Sequence, residues 1–157
     1  MFKILFSAKP QNYKKIDAIL SRSAKLTPRN MKWLKKDGIT DIIDLRAMMQ
    51  ETEEEKIANT LGIKYHNIPS VAKYPKKENV GKFLDIIEGV KMNGGKAHVH
   101  GEEGADRTGM YSYIYERLNN IGTPKDNLEE LKKHFWNIKE YPFLKEWAEI
   151  FISMIKK

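Results

Sequence analysis

Short β-branched segments alternate with helical patterns along most of this chain, and this alternation limits the fold more than any other feature. Short segments that are β-branched or aromatic in part and bounded by turn or helix signals predict strands at Phe2–Ser7, Ile16–Ser21, Thr40–Leu45, Ile63–Ile68 and Lys96–His100. Strands that alternate with helices favour an open, largely parallel sheet covered by helices on both faces. We therefore expect an α/β fold of three layers, with a central, mostly parallel sheet of about four or five strands.

Capping residues and glycines separate these strands from predicted helices. Thr27 followed by Pro28 is typical of an N-cap with proline at the first helical position. Thr52 with Glu55 three residues later predicts a capping box. With their caps, the predicted helices are Thr27–Lys36, Thr52–Leu61, Glu78–Met92, Thr108–Asn120, one from Thr123 onward, and Tyr141–Lys157.

The length of 157 residues suits one domain, and we expect residues 1–157 to form it. The chain contains no cysteine, so no disulfide framework is expected. Its first six residues are too short for a signal peptide, and no apolar run approaches the roughly 18 residues of a membrane span. We therefore expect a cytoplasmic protein that does not enter a membrane. The sequence does not indicate its oligomeric state.

The net charge of +7 raises the question of nucleic-acid binding. Only five of the 28 basic residues are arginine, and the lysine pairs are spread along the chain. A nucleic-acid-binding arm usually shows a concentrated basic run. We expect a solvated, lysine-rich surface that attracts anionic ligands and no nucleic-acid partner.

The segment Val99–Gly109 has the composition of an anion-binding loop. It follows the last predicted strand, where open parallel sheets bind ligands, and it leads into a helix. Gly101 and Gly104 allow backbone amides to turn towards one point, and the helix adds its positive N-terminal end. Arg107 can hold two phosphate oxygens, and Thr108 adds a hydroxyl. The expected ligand is a phosphate group, bound by Glu102, Glu103, Gly104, Ala105, Asp106, Arg107 and Thr108.

This loop resembles that of cysteine-dependent protein tyrosine and dual-specificity phosphatases, in the bacterial form that ends Gly-Ala-Asp-Arg-Thr-Gly. His100 and Gly104–Gly109 match that pattern. Two upstream segments, Gly38–Arg46 and Gly62–Pro69, are also similar to strands of the family. The resemblance covers about residues 13–120 and implies hydrolysis of a phosphate monoester without a metal or organic cofactor. It also implies that Arg107 stabilises the transition state and that His100 braces the loop.

Gly101 departs from the family, because it stands where the resemblance places the nucleophilic cysteine. That cysteine attacks phosphorus as a thiolate, and glycine has no side chain that could do so. Two explanations stay open: a native pseudophosphatase that binds phosphorylated partners without turnover, and an inactivating change in an ordinary phosphatase. A chance similarity of the loop is a third. We expect phosphate binding with little or no hydrolysis.

The remaining assignments are less specific. No Asp or Glu occurs in Ser70–Lys77, the stretch where the resemblance implies a general acid. Asp106 is the best candidate for that acid, and its alternative role is to cap a helix that starts at Arg107. Glu102 and Glu103 are expected to point their side chains to solvent. The ligand could be a phosphorylated protein or a small phosphate ester, including an inositol phosphate.

Three further patterns favour structural roles. His98 and His100 share one face of a strand, but no carboxylate pattern supports a metal site, so none is expected. The apolar stripe of the last helix favours docking on the core over lying on a membrane; it comprises Phe143, Leu144, Trp147, Ile150, Phe151, Met154 and Ile155. For Arg46 two roles stay open, neutralising the phosphate or pairing with a carboxylate.

Overall fold

The computed structural model describes residues 7–47, 52–71, 75–102, 106–134 and 143–156. Within these residues the strands are β1 Lys14–Lys15, β2 Leu20–Ser23, β3 Asp41–Asp44, β4 Lys64–Asn67 and β5 Ala97–His100. The helices are α1 Pro28–Lys36, α2 Glu53–Leu61, α3 Lys77–Met92, α4 Asp106–Leu118, α5 Pro124–His134 and α6 Phe143–Lys156.

The strands form one sheet in the order β1-β2-β5-β3-β4. Only the pairing of β1 with β2 is antiparallel; the other neighbours are parallel. The predicted mostly parallel sheet is therefore confirmed. The central strand is β5, and its last residue, His100, lies in register with Ser23 of β2 and Asp44 of β3. The carboxyl ends of three strands thus meet at the edge where the predicted phosphate loop begins.

Helices cover both faces of the sheet and complete the three layers. On one face, α1 and α2 pack Met31, Leu34 and Ala58 against Ile42 and Ile63. The other four helices cover the opposite face, with a core that includes Ile43, Val99, Phe83, Ile87, Ile114, Leu131, Leu144 and Phe151. The most enclosed helix is α4, which is buried from Thr108 to Glu116 and packs against α5 and α6. Its first turn is consequently held firmly at the sheet edge.

Side-chain caps explain where the first two helices begin. The Thr27 hydroxyl accepts a hydrogen bond from the Asn30 amide at 3.1 Å, and the Asn30 side chain accepts one from the Thr27 amide at 2.9 Å. Thr52 likewise accepts from the Glu55 amide at 3.1 Å, so its half of the predicted capping box forms. The predicted helices at Thr27, Thr52 and Glu78 are confirmed to within one residue at their starts.

The prediction of a single strand over Ile16–Ser21 is wrong. The Asp17 carboxylate accepts hydrogen bonds from the amides of Ile19 and Leu20, at 2.9 and 2.8 Å. Aspartate closes turns in this way and removes amides from a strand ladder. Residues 16–19 are therefore a turn between β1 and β2, which form a hairpin, and only Leu20 and Ser21 of the predicted strand belong to β2. Of the predicted strand Phe2–Ser7, only Ser7 lies within the described residues, and it belongs to no strand.

The last helix docks on the core, as predicted, but only part of its apolar stripe is covered. Leu144 and Phe151 are buried and Trp147 packs against the core. Phe143, Ile150, Met154 and Ile155 are exposed by 41–57%. Within the described ranges, none of the helices combines the length and apolarity that crossing a bilayer requires.

Candidate functional site

Gly101 directly follows the central strand and is buried at the carboxyl edge of the sheet. Backbone hydrogen bonds hold the chain on either side of it. The Leu45 amide donates to the His100 carbonyl at 2.9 Å, and the Lys25 amide donates to the Glu102 carbonyl at 3.1 Å. The φ of Gly101 lies outside the left-handed region that favours glycine. The backbone at this position is therefore open to an ordinary L-residue.

The Thr108 hydroxyl lies against position 101. Its Oγ1 would be 3.1 Å from a Cβ placed on residue 101, and Arg107 Nε would be 3.9 Å away. Thr108 is fully buried, and its hydroxyl has no hydrogen-bond partner among the residues that the structure describes. An unpaired buried hydroxyl costs about 1–3 kcal/mol, and most are paired. The hydroxyl is therefore within reach of a group placed beside residue 101.

The Arg107 side chain is held by the segment that follows β4. Its Nη1 donates to the Ser70 carbonyl at 3.0 Å. The Ser70 hydroxyl donates to the Ile68 carbonyl at 2.9 Å and therefore accepts from the Tyr111 hydroxyl, 2.8 Å away. Burial raises the pKa of Tyr111, which keeps this phenol neutral and able to donate. A guanidinium has five N–H donors, so one contact to Ser70 leaves others for an anion.

The predicted helix Thr108–Asn120 starts earlier than expected. It begins at Asp106, one residue before the start at Arg107 that the capping alternative for Asp106 requires. The loop is therefore followed at once by the positive end of α4. The Asp106 side chain and the predicted phosphate-binding residues Glu103, Gly104 and Ala105 lie outside the described residues, so their roles stay predictions. The Glu102 side chain is 51% exposed, as predicted, and lies 3.4 Å from the Lys25 ammonium.

His100 lies beneath the loop and is completely buried. Its Nδ1 is 2.9 Å from the Gly101 carbonyl oxygen, and its Nε2 is 2.7 Å from Glu54 Oε2. Burial lowers the pKa of His100, but the hydrogen bond and charge of Glu54, with the charge of Asp44, outweigh burial and raise it. The contact of the His100 ring with the Gly101 carbonyl is therefore one through which His100 could brace the loop, as predicted.

Two buried carboxylates and Arg46 surround this histidine. Arg46 donates from Nε and Nη2 to Asp44, at 3.0 and 2.9 Å, and from Nη2 to Glu54 at 3.1 Å. Tyr65 also donates to Asp44. Burial raises the pKa of Asp44, but these hydrogen bonds and the charge of His100 outweigh burial and lower it. Of the two roles left open for Arg46, the structure shows pairing with carboxylates.

These groups are also where a cation would have to bind. Asp44, Glu54 and His100 each offer a ligand atom, all within 4.8 Å of one another. However, Arg46 occupies both carboxylates, and the Nε2 of His100 is taken by Glu54. A metal ion would have to displace Arg46 from a buried ion pair, so we assign no metal site here.

His98 shares the strand and the face of His100 but has a different environment. It is completely buried between two serines, with Nδ1 2.7 Å from Ser21 Oγ and Nε2 2.7 Å from Ser23 Oγ. Since Ser23 donates to the Ala24 carbonyl at 2.7 Å, its oxygen accepts from the histidine. Burial, with a smaller contribution from the charge of His100, holds the pKa of His98 well below its usual value. His98 is thus a neutral, structural residue.

Reasoning from the sequence missed Glu54, Ser70 and Tyr111. No sequence pattern pointed to Glu54 or Tyr111, and Ser70 marked only the beginning of a stretch without acidic residues. Glu54 contacts His100 and Ser70 contacts Arg107, each from another element, and Tyr111 contacts Ser70. Strand order and register would have been needed to find these contacts.

The predicted phosphate-binding loop lies between a central parallel strand and a buried helix, whose first turn carries an arginine and a threonine. This arrangement defines an α/β phosphatase domain. Residues 4–139 match the family model described as "DSP-PTPase phosphatase fused to NAD+ Kinase", so the chain belongs to this family, PTP-NADK. The resemblance seen in the sequence is thereby confirmed. No curated protein sequence matches the chain.

Solved structures show the same fold at low sequence identity. The core catalytic domain of the PP-IP phosphatase SIW14 from S. cerevisiae, in complex with citrate, has a TM-score of 0.79 at 17% identity, covering 95% of this chain and 93% of that one. A putative phosphatase from Shewanella putrefaciens CN-32 has a TM-score of 0.75 at 18% identity, covering 91% and 90%. TpbA from P. aeruginosa has a TM-score of 0.73 at 15% identity, covering 88% and 84%.

Proposed function

We propose that this domain binds phosphate monoesters at the loop after β5 and does not hydrolyse them at an appreciable rate. The binding groups are the loop amides, the N-terminal end of α4 and the Arg107 guanidinium. Hydrolysis by the mechanism of the family needs a nucleophile at residue 101, and glycine offers none. This consequence is the same whether Gly101 is native or an introduced change.

The observation that carries the proposal is the unpaired Thr108 hydroxyl beside residue 101. Around that position, the Arg107 contact to Ser70 and the buried residues Thr108 and Gly109 of α4 hold the surrounding groups in place. A buried hydroxyl donor and a guanidinium, both close to residue 101, suit an anion as ligand. The same pair of groups would serve a thiolate or a phosphate oxygen.

Two structural neighbours support phosphate esters as the ligand class. SIW14 is described as a PP-IP phosphatase, and a cysteine-to-serine variant of P. aeruginosa TpbA was solved in complex with pTyr. We propose a phosphorylated protein or a small phosphate ester as the ligand of this chain, and Asp106 as the residue that would protonate a leaving group in a restored enzyme. The net charge of +7 favours the approach of such anions.

Titration of inorganic phosphate and of phosphotyrosine, followed by calorimetry or ³¹P NMR, tests the proposal. Arg107→Ala should weaken binding by roughly 10- to 150-fold, because a hydrogen bond to a charged group contributes about 1.5–3 kcal/mol. Arg117→Ala is the matched control, since Arg117 lies on the same helix but bonds Glu149 and Tyr113. It should bind both anions as the parent does.

Hydrolysis of p-nitrophenyl phosphate is measured on the same proteins. The parent should turn over no faster than Arg107→Ala. Equal phosphate binding by parent and Arg107→Ala would refute the anion site. Turnover by the parent that disappears in Arg107→Ala would refute the second half of the proposal, because it would require a nucleophile other than residue 101.

A further inference from the structure

The two ring nitrogens of His100 face two different acceptors. Nδ1 lies 2.9 Å from the Gly101 carbonyl oxygen, which can only accept, so this nitrogen must carry a proton. Nε2 lies 2.7 Å from Glu54 Oε2. A bare nitrogen facing an ionised carboxylate at that distance would be repelled, so a second proton must lie between these two atoms.

The neighbouring charges decide which group holds that second proton. Glu54 also accepts a hydrogen bond from Arg46, at 3.1 Å, and Asp44 is bonded by Arg46 through two of its nitrogens. With the proton on His100, two buried carboxylates balance two cations. With the proton on Glu54, Arg46 would lose one of the two ionised acceptors that it contacts. Charge-assisted hydrogen bonds are about twice as strong as neutral ones, so the cluster favours an imidazolium.

We propose that Glu54 is a positioning residue of the anion site, because it keeps His100 doubly protonated and so holds an imidazolium directly behind the Gly101 carbonyl. The inference rests on the proposed phosphate site but adds a residue from α2, which contributes no atom to the loop itself. In this arrangement, the strand that ends at the loop carries a fixed positive charge at its last residue.

Every element packed around His100 bears on its protonation. Asp44 is the last residue of β3 and Arg46 lies two positions after it. Glu54 comes from α2, and Tyr65 of β4 acts through its bond to Asp44. On its own strand the nearest titratable group is His98, which is neutral. The neighbour in register on β2 is Ser23, which carries no charge. Glu54 is the carboxylate that is hydrogen-bonded to His100, so removing its charge should change the protonation of His100 the most.

The chain contains its own control for this inference. His98 and His100 are both completely buried, two residues apart on one strand. They differ in their partners, which are two hydroxyls for His98 and a carbonyl with a carboxylate for His100. Burial alone would make both neutral, so a difference between their protonation states isolates the effect of Glu54 and its neighbours.

The experiment is NMR of the two histidine rings in the full chain between pH 6 and 9. In the parent, both ring nitrogens of His100 should show the shifts of a protonated imidazolium at pH 7, whereas His98 should be neutral with its proton on Nε2. In Glu54→Gln, His100 should become neutral at pH 7 and keep its proton on Nδ1, where the Gly101 carbonyl remains. Glu53→Gln removes the same charge from the exposed neighbouring position and should leave both rings unchanged.

Phosphate titration of the same variants at pH 7 gives the functional readout. Glu54→Gln should lose about 3- to 7-fold in affinity, the size expected when one buried ion pair behind the site is neutralised at an effective dielectric of about 20. Glu53→Gln should keep parental affinity.

A neutral His100 in the parent at pH 7 overturns the inference, as does a Glu54→Gln protein in which His100 remains doubly protonated. Unchanged phosphate affinity in Glu54→Gln, with His100 neutral, also overturns it but leaves the anion site intact. If the variant does not fold, the ¹³C shift of the Glu54 carboxyl in the parent decides, because a protonated carboxyl at pH 7 contradicts the inference. Failure of the proposed function itself would appear separately, as Arg107→Ala binding phosphate normally.

Discussion

Replacing Gly101 with cysteine should convert this domain into a phosphatase with little change in stability. The backbone at residue 101 lies outside the left-handed region, so no strain opposes a side chain there. The nearest contact for its Cβ is Thr108 Oγ1 at 3.1 Å, a tight approach that requires this hydroxyl, which has no described partner, to shift by a few tenths of an ångström. Losing glycine restricts the unfolded chain, which stabilises by about 0.4–1 kcal/mol. Crowding offsets this gain, so we expect unfolding free energies within about 1 kcal/mol of the parent.

The expected gain in rate follows from the missing nucleophile. Deleting the nucleophile of a serine protease costs about 10⁶-fold in turnover, which corresponds to about 8 kcal/mol of activation free energy. Arg107, Thr108 and the end of α4 are already present beside residue 101, and positive surroundings lower a thiol pKa. A missing general acid would reduce the gain by about 10²- to 10⁴-fold for poor leaving groups. With p-nitrophenyl phosphate, whose leaving group needs little protonation, the gain should approach the full factor.

The assay is p-nitrophenolate release under burst conditions, where a phosphocysteine intermediate gives a first equivalent faster than the steady state. Gly101→Ala is the matched control, because it adds the same Cβ without the thiol and should remain inactive. A Gly101→Cys protein that folds and binds phosphate like the parent, yet releases no more product than Gly101→Ala, would refute the claim that the catalytic surroundings are intact. That result would instead indicate an established pseudophosphatase whose other parts have changed.

Two further predictions concern Asp106 and His98. In the Gly101→Cys background, Asp106→Asn should slow hydrolysis of esters with poor leaving groups much more than that of p-nitrophenyl phosphate; equal rates on a poor leaving group would exclude Asp106 as the acid. His98 has a lowered pKa in the folded state, so its contribution to stability is present above its unfolded pKa of about 6.5 and is lost as the pH falls below that value. Urea unfolding should show the parent losing up to about 1.4 kcal/mol per pH unit more than His98→Gln between pH 6.5 and 5, and parallel curves would contradict a neutral His98.

Most of the layered fold could be predicted because its signals are local. Thr40–Leu45, Ile63–Ile68 and Lys96–His100 are short segments, β-branched or aromatic in part, between turn and helix signals. Each contains a strand whose ends lie within one residue of the prediction. The hydroxyls of Thr27 and Thr52 accept hydrogen bonds from amides only three residues further along the chain. The error over Ile16–Ser21 is of the same local kind, since Asp17 is itself a turn signal whose effect on the next amides was overlooked.

The surroundings of residue 101 could be predicted only in part. The loop is contiguous in sequence, so its glycines, Arg107 and Thr108 were recognised together. Glu54 reaches His100 across 46 positions, and this contact depends on the insertion of β5 between β2 and β3. No periodicity or motif encodes that insertion. The same holds for Ser70 and Arg107, which lie 37 positions apart.

The bond from Arg107 to the Ser70 carbonyl has a consequence for how fast and how selectively a ligand is captured. A free arginine side chain carries about 2 kcal/mol of rotamer entropy, which binding would normally remove. Here one end of the guanidinium is restrained before any ligand arrives, so association does not wait for the side chain to find its orientation. The restraint comes from the segment after β4, which means that movement of that segment also moves Arg107. A macromolecule that binds this segment would therefore change the affinity of the site for anions without contacting the loop.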